Sequence, residues 1–146
     1  MRLTSFTDFG LRALILLAER PQGDVLSSGA IASMLDVSAH HMAKVLQALA
    51  AAGFVRSTRG KQGGASLALP AAAIRIGDVV RALEADQPIV ECFRADGGAC
   101  ALAPSCRLRR MLKRAEDAFV EALDGFSLAD CLGTDVRRLI ASLQPA

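Results

Sequence analysis

Hydrophobic positions recur at helical spacing over most of the chain, and one short stretch alternates in the manner of a strand pair. The first helical pattern covers residues 5–19, where leucine and isoleucine positions form one broad face and Pro21 follows the end. Ser5 is the predicted N-cap, and Asp8 lies in the first turn, where the helix dipole favours an acidic side chain. Helix capping alone would account for Asp8.

Residues 27–53 predict two helices separated by a tight turn, which is the pattern of a helix-turn-helix. Ser28 is the predicted cap of the first of these helices, the turn lies at residues 36–37, and Ser38 caps the second. Apolar residues of the second helix return every three or four positions, as on one face of a helix. The opposite face carries the polar side chains of His40, His41, Lys44 and Gln47. The side chains expected to contact the major groove are Ser38, His40, His41 and Lys44.

The two adjacent histidines also raise the question of a metal site. Neighbouring residues project about 100° apart on a helix, so His40 and His41 cannot easily share one ion. Donors facing a DNA groove, or ordinary surface side chains, are therefore the favoured interpretations.

Residues 54–58 and 65–69 alternate between apolar and polar side chains around the glycine-rich stretch 60–64, which predicts a β-hairpin. A hairpin directly after a helix-turn-helix is typical of the wing of a winged helix, although a basic solvated turn is the alternative. The residues expected to contact phosphate or the minor groove are Arg59, Lys61 and Gln62 of the wing, together with Ser28.

The C-terminal half continues the helical spacing. The pattern predicts a helix around residues 76–83, a long helix from Pro104 to about Asp124, and shorter helices over residues 127–132 and 134–143. At 1.5 Å rise per residue the long helix would extend roughly 30 Å. This exceeds what a small core requires, so its apolar stripe predicts a dimerisation helix, with a core helix as the alternative.

These elements predict a mainly α-helical protein, a winged helix-turn-helix with a two-stranded β-wing plus a long C-terminal dimerisation helix. We expect the DNA-binding domain over residues 1–85 and a cysteine-bearing, cluster-binding loop over residues 86–106. The dimerisation helix and the C-terminal helices are expected to occupy residues 107–146.

The composition of the chain excludes only some classes of function. The formal net charge of +2 is too small to establish a nucleic-acid partner by itself. No apolar stretch reaches the length of a membrane-spanning helix, and the first residues lack the apolar segment of a signal peptide, so we expect a cytoplasmic protein. No nucleophile–base set, phosphate-binding glycine loop or paired-carboxylate motif is evident, which argues against an enzyme.

Three of the four cysteines lie within fifteen residues, at Cys92, Cys100 and Cys106. Three is an odd number for disulfides, and in a reducing compartment clustered cysteines are typically metal ligands or redox sensors. Their spacing differs from that of zinc ribbons and common ferredoxins. Basic residues begin the following helix and favour an anionic occupant such as a thiolate-bound cluster. Cys131 lies apart, one turn after Leu128, and is expected to be a buried thiol.

Several stretches are similar to the family of winged-helix iron–sulfur regulators, and specifically to its nitric-oxide-sensing repressors. The similarity extends from residue 1 to about residue 132. It is carried by the opening MRLTSFTDFGLRAL, the wing RGKQGG, the segment AIRIGDVVRALE, the CRL that ends the cysteine loop, and FSLAD.

The resemblance implies a homodimeric repressor that binds double-stranded operator DNA and carries one iron–sulfur cluster per subunit, expected to be 4Fe–4S, with nitric oxide as its signal. The three loop cysteines are the cluster ligands in that family, which corresponds to Cys92, Cys100 and Cys106 here. An aspartate of the first helix, reaching across from the partner subunit, can be the fourth ligand. Asp8 occupies that position, which gives it a role beyond capping.

Three alternatives remain open at this point. Arg107 follows the third cysteine where the related cluster-assembly regulators have a histidine, which disfavours a cluster of that type, but a redox-sensing 2Fe–2S cluster is possible. A thiol- or zinc-based redox sensor would use the same cysteines and share the DNA-binding half. An electron-carrying iron–sulfur protein would leave the predicted helix-turn-helix and wing without a role.

Overall fold

The computed structural model describes residues 3–21, 23–58 and 63–143, which form a mainly helical domain with one two-stranded antiparallel sheet. This architecture confirms the predicted fold class. The elements in chain order are α1 (Ser5–Ala18), α2 (Ser28–Leu35), α3 (Ala39–Ala51), β1 (Val55–Thr58), β2 (Gly64–Leu67), α4 (Ile76–Glu84), α5 (Arg107–Asp124) and α6 (Thr134–Leu143).

Helix α1 packs against α2, α3 and α4 and supplies much of the core. Gly10 allows this close packing, since a Cβ at this position would lie 2.5 Å from Leu83 Cδ1 on α4 and 3.6 Å from Val45 Cγ1 on α3. The glycine therefore lets the backbone of α1 approach α4 closely, whereas Val45 of α3 lies at an ordinary van der Waals distance.

The N-cap of α1 lies one position before the predicted Ser5. Thr4 caps the helix, because its Oγ1 accepts a hydrogen bond from the Thr7 backbone N–H at 3.2 Å. The Thr4 backbone N–H and hydroxyl both donate to Glu84 Oε1 at 2.8 Å, which attaches the start of α1 to the end of α4. This tertiary contact decides between two neighbouring residues that could each cap the helix.

The same one-residue shift occurs at α2, where Ser27 rather than the predicted Ser28 is the N-cap. Ser27 Oγ accepts from the Ala30 backbone N–H at 3.1 Å. Ser38 caps α3 as predicted, accepting from the His41 backbone N–H at 3.1 Å. The helix-turn-helix pattern is thus present, with α3 as its second helix.

The predicted hairpin is present as β1 and β2, with Val55 opposite Leu67. Leu26 extends the pairing, since its N–H donates to the Ala65 carbonyl at 3.0 Å and its carbonyl accepts from the Ala65 N–H at 2.8 Å. A Cβ at Gly64 would overlap the Leu26 backbone. The base of the wing is therefore anchored to the segment that leads into α2.

Helix α5 begins at Arg107, three residues later than the predicted start at Pro104. Pro104 lies in a separate short 3-10 turn over Ala103–Ser105, and the extended backbone of Cys106 separates that turn from α5. No residue of α5, which the structure describes in full, is buried. Leu108 and Met111 are 58% and 64% exposed, and the role of this helix in dimerisation stays a prediction.

Helices α4 and α5 pack against each other where Gly77 meets the last turn of α5. A Cβ at Gly77 would overlap the Asp124 carboxylate and lie 3.0 Å from the Val120 carbonyl oxygen. Arg81 of α4 hydrogen-bonds to Asp124, and this contact holds the pKa of the Asp124 carboxyl below its usual range. The pair fixes α5 on the DNA-binding domain.

The last elements match the two predicted helices. Residues 128–131 form a 3-10 turn with a reciprocal capping box, in which Ser127 N–H and Oγ both hydrogen-bond to Asp130 Oδ2, at 2.7 and 2.8 Å. On α6, Arg137 Nε donates to Glu19 Oε2 at 2.8 Å, which attaches the C-terminal helix to the end of α1. In the part of the chain that the structure describes, no helix has the length and hydrophobicity needed to cross a membrane.

Candidate functional site

The outer face of α3 presents the predicted groove-facing side chains. His40, Lys44 and Gln47 are exposed and lie about one turn apart, so they share one face of the helix. Ser38 is also exposed at the N-terminal end, where its hydroxyl caps the helix. Imidazole, ammonium and amide groups at the start of such a helix are suited to base edges and phosphates.

His41 differs from its neighbours, because its side chain faces α1 instead of the outer face. The imidazole centroid lies 5.3 Å from that of Phe9 and 6.0 Å from that of Phe6. Its Nε2 is buried and has no hydrogen-bond partner among the described residues. His41 was predicted with His40 to face DNA; in the structure its position one turn before Val45 places it beside the apolar stripe of α3.

A cleft of about 370 Å³ separates α3 from the start of α2 and the wing. Ser28 lies in its wall and is half-buried, near the N-terminal end of α2. Gln47 of α3 and Ser57 and Thr58 of β1 line the same cleft. The cleft therefore offers hydroxyl and amide donors on the side of the helix-turn-helix that carries the exposed face of α3.

Three wing residues were predicted to contact DNA. Arg59, Lys61 and Gln62 lie outside the described residues, so their placement stays a prediction. Arg56 and Thr58, on the described part of β1, are exposed.

The cysteine loop runs from the end of α4 to the start of α5. Cys92 lies in a short 3-10 turn, Cys100 follows a turn at Gly97 and Gly98, and Cys106 occupies the N-cap position of α5. Each of the three is half-buried, and each is a free thiol. The loop is thus folded against the domain with its thiols partly accessible.

Hydrogen bonds from backbone N–H groups to side-chain carboxylates define the turn before Cys100. Gly98 has a φ of 62°, and its N–H donates to Asp96 Oδ1 at 3.0 Å. The next residue, Ala99, donates its N–H to Glu91 Oε1 at 3.2 Å. A Cβ at Gly98 would lie 2.5 Å from the Glu91 carbonyl oxygen, so only glycine fits here.

Arg109 connects this loop to α5, and sequence patterning alone gave no partner for it. Its Nε donates to the Cys92 carbonyl at 3.4 Å, and its guanidinium lies 5.7 Å from the centroid of the Phe93 ring. Both contacts fix the backbone around Cys92 against the first turns of the helix. The sequence signal for this contact was the basic residue one turn after Cys106.

The start of α5 is electropositive and uncapped by any side chain of the described residues. Arg107, Arg109 and Arg110 are exposed in its first turn, which contains no acidic residue. The free backbone N–H groups and these guanidinium groups favour an anion near Cys106. A cleft of about 370 Å³ adjoins the same residues and is lined by Phe93, Arg109, Arg110 and Lys113.

Asp8 is half-buried on α1 and forms a two-point ion pair with Arg12. Arg12 Nε donates to Oδ1 at 3.1 Å, and the terminal guanidinium nitrogen lies 2.8 Å from Oδ2. Its carboxylate is thus accessible to solvent, with a side chain that is 46% exposed.

The side chains that could bind a metal are not grouped around one point in the described part of the chain. Over residues 3–21, 23–58 and 63–143, no group of three or more His, Cys, Asp or Glu side chains is arranged to hold a metal ion. Three free thiols beside an electropositive helix terminus nevertheless suit iron, because thiolates are the soft ligands of iron–sulfur clusters. The donor chemistry fits a cluster, and one chain alone does not assemble the ligands.

Cys131 is separate from this set. Its Sγ lies 3.9 Å from the Ser127 carbonyl oxygen, and the side chain packs at the edge of the core. Burial, with a smaller contribution from Asp130, raises the pKa of the Cys131 thiol. The residue is half-buried where full burial was predicted.

Residues 3–134 match the model of the Rrf2 family, described as iron-dependent transcriptional regulators. The chain belongs to the Rrf2 family. Rrf2 proteins are DNA-binding transcriptional regulators, commonly dimeric, and they are not enzymes, so the predicted class is confirmed.

Solved structures show the same fold. CymR (YrzC), the global cysteine regulator of B. subtilis, is 29% identical, with 90% of this chain and 95% of that chain covered and a TM-score of 0.67. The oxidised form of Staphylococcus aureus CymR is 27% identical, with 88% and 93% covered and a TM-score of 0.66. IscR of T. potens is 24% identical, with 90% of this chain and 85% of that chain covered and a TM-score of 0.68. This similarity shows the fold alone.

Proposed function

We propose that this Rrf2 protein is a homodimeric repressor whose iron–sulfur cluster senses nitric oxide and thereby controls operator binding. The observation that carries the proposal is the grouping of free Cys92, Cys100 and Cys106 on a loop that ends at the uncapped, basic start of α5. The resemblance of the sequence to NsrR, a nitric-oxide-sensing repressor, supports the same function.

The ligands of the proposed cluster are the three loop thiolates of one subunit and Asp8 of the other. A carboxylate oxygen is a harder and weaker ligand for cluster iron than a thiolate, so one iron is comparatively open to a small diatomic molecule. A 4Fe–4S cluster is proposed, with 2Fe–2S as the alternative. The chemistry that the cluster supplies is its reaction with nitric oxide.

The consequence for DNA follows from this chain's own residues. While Asp8 is a ligand it connects α1 of one subunit to the cysteine loop of the other, and α1 packs on α3. Release of Asp8 breaks that connection and returns the carboxylate to Arg12, the partner it has in the single chain. The separation of the two α3 helices in the dimer then changes, and DNA half-site spacing tolerates little change.

The DNA contacts proposed on this basis are Ser38, His40 and Lys44 at the major groove. The wing contributes Arg59, Lys61 and Gln62, and Ser28 lies near a phosphate. The exposed face of α3 supports the first group.

A thiol sensor is the second candidate. It is favoured by the similarity to Staphylococcus aureus CymR, which was solved in an oxidised form, and by the four free cysteines of this chain. In that case the same loop would respond by oxidation of its thiols, or by binding zinc, and the DNA-binding half would be unchanged.

The test is the absorption spectrum with the iron and sulfide content of anaerobically purified protein, for the wild type and four single Cys→Ser variants. We expect about four irons per chain and a broad band near 400 nm, roughly as for other 4Fe–4S proteins. Replacement of Cys92, Cys100 or Cys106 should remove most of the iron, whereas Cys131→Ser should retain it. Zinc, or no metal in the wild type, would instead support the thiol sensor.

A further inference from the structure

His41 contacts the helix that carries Asp8. Its imidazole is bracketed by Phe6 and Phe9, which lie one turn apart on one face of α1. The Phe9 ring is perpendicular to the imidazole at 5.3 Å, and the Phe6 ring is tilted by 53° at 6.0 Å. One side chain of α3 is thereby held between two aromatic rings of its neighbouring helix.

The Nε2 atom of His41 is not positioned for DNA. Its backbone N–H donates to Ser38 Oγ at 3.1 Å, and its Nε2 is buried with no partner among the described residues. A base edge or phosphate can be reached only by an exposed donor, as His40 is on the same helix.

A second contact between the same helices lies one turn further along α3. Val45 is fully buried, and its Cγ1 lies 3.6 Å from the position of a Cβ at Gly10 on α1, which is an ordinary van der Waals contact. His41 and Val45 therefore form one line of contact with α1, about 100° around the helix from His40 and Lys44. A displacement of α1 presses on the first turns of α3 along this line.

We infer that His41 is a positioning residue that couples α1 to the DNA-reading helix α3, and that it does not read bases. The inference rests on the proposed function in one respect, namely that Asp8 transmits its state through α1. Phe6 and Phe9 flank Asp8 on the same helix, so engagement or release of the carboxylate moves the two rings that hold the imidazole.

The test compares His41→Phe, His41→Ala and His40→Ala as full-length proteins without cluster and as anaerobically purified proteins. The probe is a duplex that the wild-type protein selects from a random-sequence library, with a set of duplexes that each carry one altered base pair. Operator affinity is measured by fluorescence anisotropy and thermal stability by circular dichroism. His41→Phe keeps an aromatic ring between Phe6 and Phe9 and removes the imidazole nitrogens.

We expect His41→Phe to bind every duplex within threefold of the wild type. His41→Ala should bind all of them about tenfold more weakly, with an unchanged dependence on salt, since no phosphate contact is lost. His40→Ala should bind more weakly than the wild type mainly to the duplexes that retain the base pair contacted by His40. A loss confined to one base pair in both His41 variants would overturn the inference.

Coupling is measured separately from stability, by the change in operator affinity that Asp8→Ala causes in each background. The inference predicts the wild-type change in His41→Phe and a change at least fivefold smaller in His41→Ala. An equal change in all three backgrounds would contradict it. If Asp8→Ala leaves the operator affinity unchanged even with the wild-type His41, then Asp8 is not connected to DNA binding. The proposed role of His41 is then decided by the affinities for the duplexes with altered base pairs. Phe9→Leu replaces His41→Ala if the latter does not fold.

Discussion

The Asp8 carboxylate is bound at both oxygens by Arg12, four residues further along α1. An exposed pair of this kind contributes only about 0.3–0.5 kcal/mol. A bond to iron outweighs so weak a pair, so Arg12 does not prevent Asp8 from binding a cluster on the partner subunit. It gives the carboxylate a defined position when that bond is absent.

Asp8→Ala tests this account at the level of one residue. We expect the variant to keep its iron, because three thiolates remain, but to change the operator affinity of the cluster-containing form by about tenfold. Nitric-oxide-triggered release should then be smaller than in the wild type, as measured by anisotropy. Full cluster loading with unaltered release would remove Asp8 from the signalling path. Arg12→Ala, which frees Asp8 without removing it, is the matched control.

Single residues were predicted from the sequence with mixed success, and His41 shows why. Local spacing grouped it with the polar face of α3, although it lies four residues before the buried Val45. What turns the ring inward is the pair of phenylalanines on α1, about thirty residues away in sequence. A local pattern cannot contain that partner. The Arg109 contact with the Cys92 carbonyl escaped prediction for the same reason.

Helices and strands were predicted more completely, because the 3.6-residue spacing of buried positions decides their existence. Their ends were less well predicted. Thr4 and Ser5 are both good caps, and the choice depends on Glu84 of α4. Pro104 suits the first turn of an α-helix or of a 3-10 helix equally, so its position could not locate the start of α5.

The contact between α4 and α5 leads to a prediction for two glycines. Gly77→Ala should lower the free energy of unfolding by about 1–3 kcal/mol, because the new methyl group overlaps the Asp124 carboxylate and approaches the Val120 carbonyl. Gly29→Ala is the control, since a Cβ there meets nothing within 4 Å in helix α2. It should stabilise the protein by roughly 0.5–1 kcal/mol through lower chain entropy. Urea denaturation measures both, and equal stabilities would contradict the proposed packing.

The turn after α5 leads to a prediction about pH. Hydrogen bonds from the Ser127 backbone and hydroxyl hold the pKa of Asp130 below its ordinary value. A depressed folded pKa contributes stability that is present above the unfolded pKa, about 3.9, and is lost as the pH falls through the folded value.

Asp130→Asn should therefore be less stable than the wild type at neutral pH, and the difference should shrink as the pH falls below about 4. Urea denaturation at a series of pH values measures this difference. Asp135→Asn, whose side chain is fully exposed, controls for the loss of one negative charge. A difference that stays constant down to the lowest pH would contradict the role of the Asp130 carboxylate.

At the scale of the whole molecule, one chain leaves its longest helix incompletely covered. Helix α5 has no buried residue and exposes Leu108 and Met111. The proposed cluster likewise requires ligands from two chains. The length and apolar stripe of α5 predict the second copy, whereas the cross-subunit ligand is encoded in no local pattern and came from the resemblance to a family. Both stay proposals.

Leu108→Glu combined with Met111→Glu tests the role of α5. We expect sedimentation to show monomers, because charged side chains would have to be buried in the dimer. Operator affinity should fall about 100-fold, since two half-sites can no longer be bound together. Leu69→Glu changes an exposed leucine at the end of the wing and should leave the dimer intact. A dimeric α5 variant would place the interface elsewhere.

The most direct test of the central claim is an anaerobic titration of the protein–operator complex with nitric oxide, followed by anisotropy and absorbance in the same sample. The account predicts that DNA is released as the band near 400 nm bleaches, roughly in proportion, and that Cys131→Ser behaves as the wild type does. It further predicts that a thiol oxidant added at equal concentration leaves the operator bound. Full bleaching with the operator still bound, or release by the oxidant alone, would contradict nitric oxide as the signal.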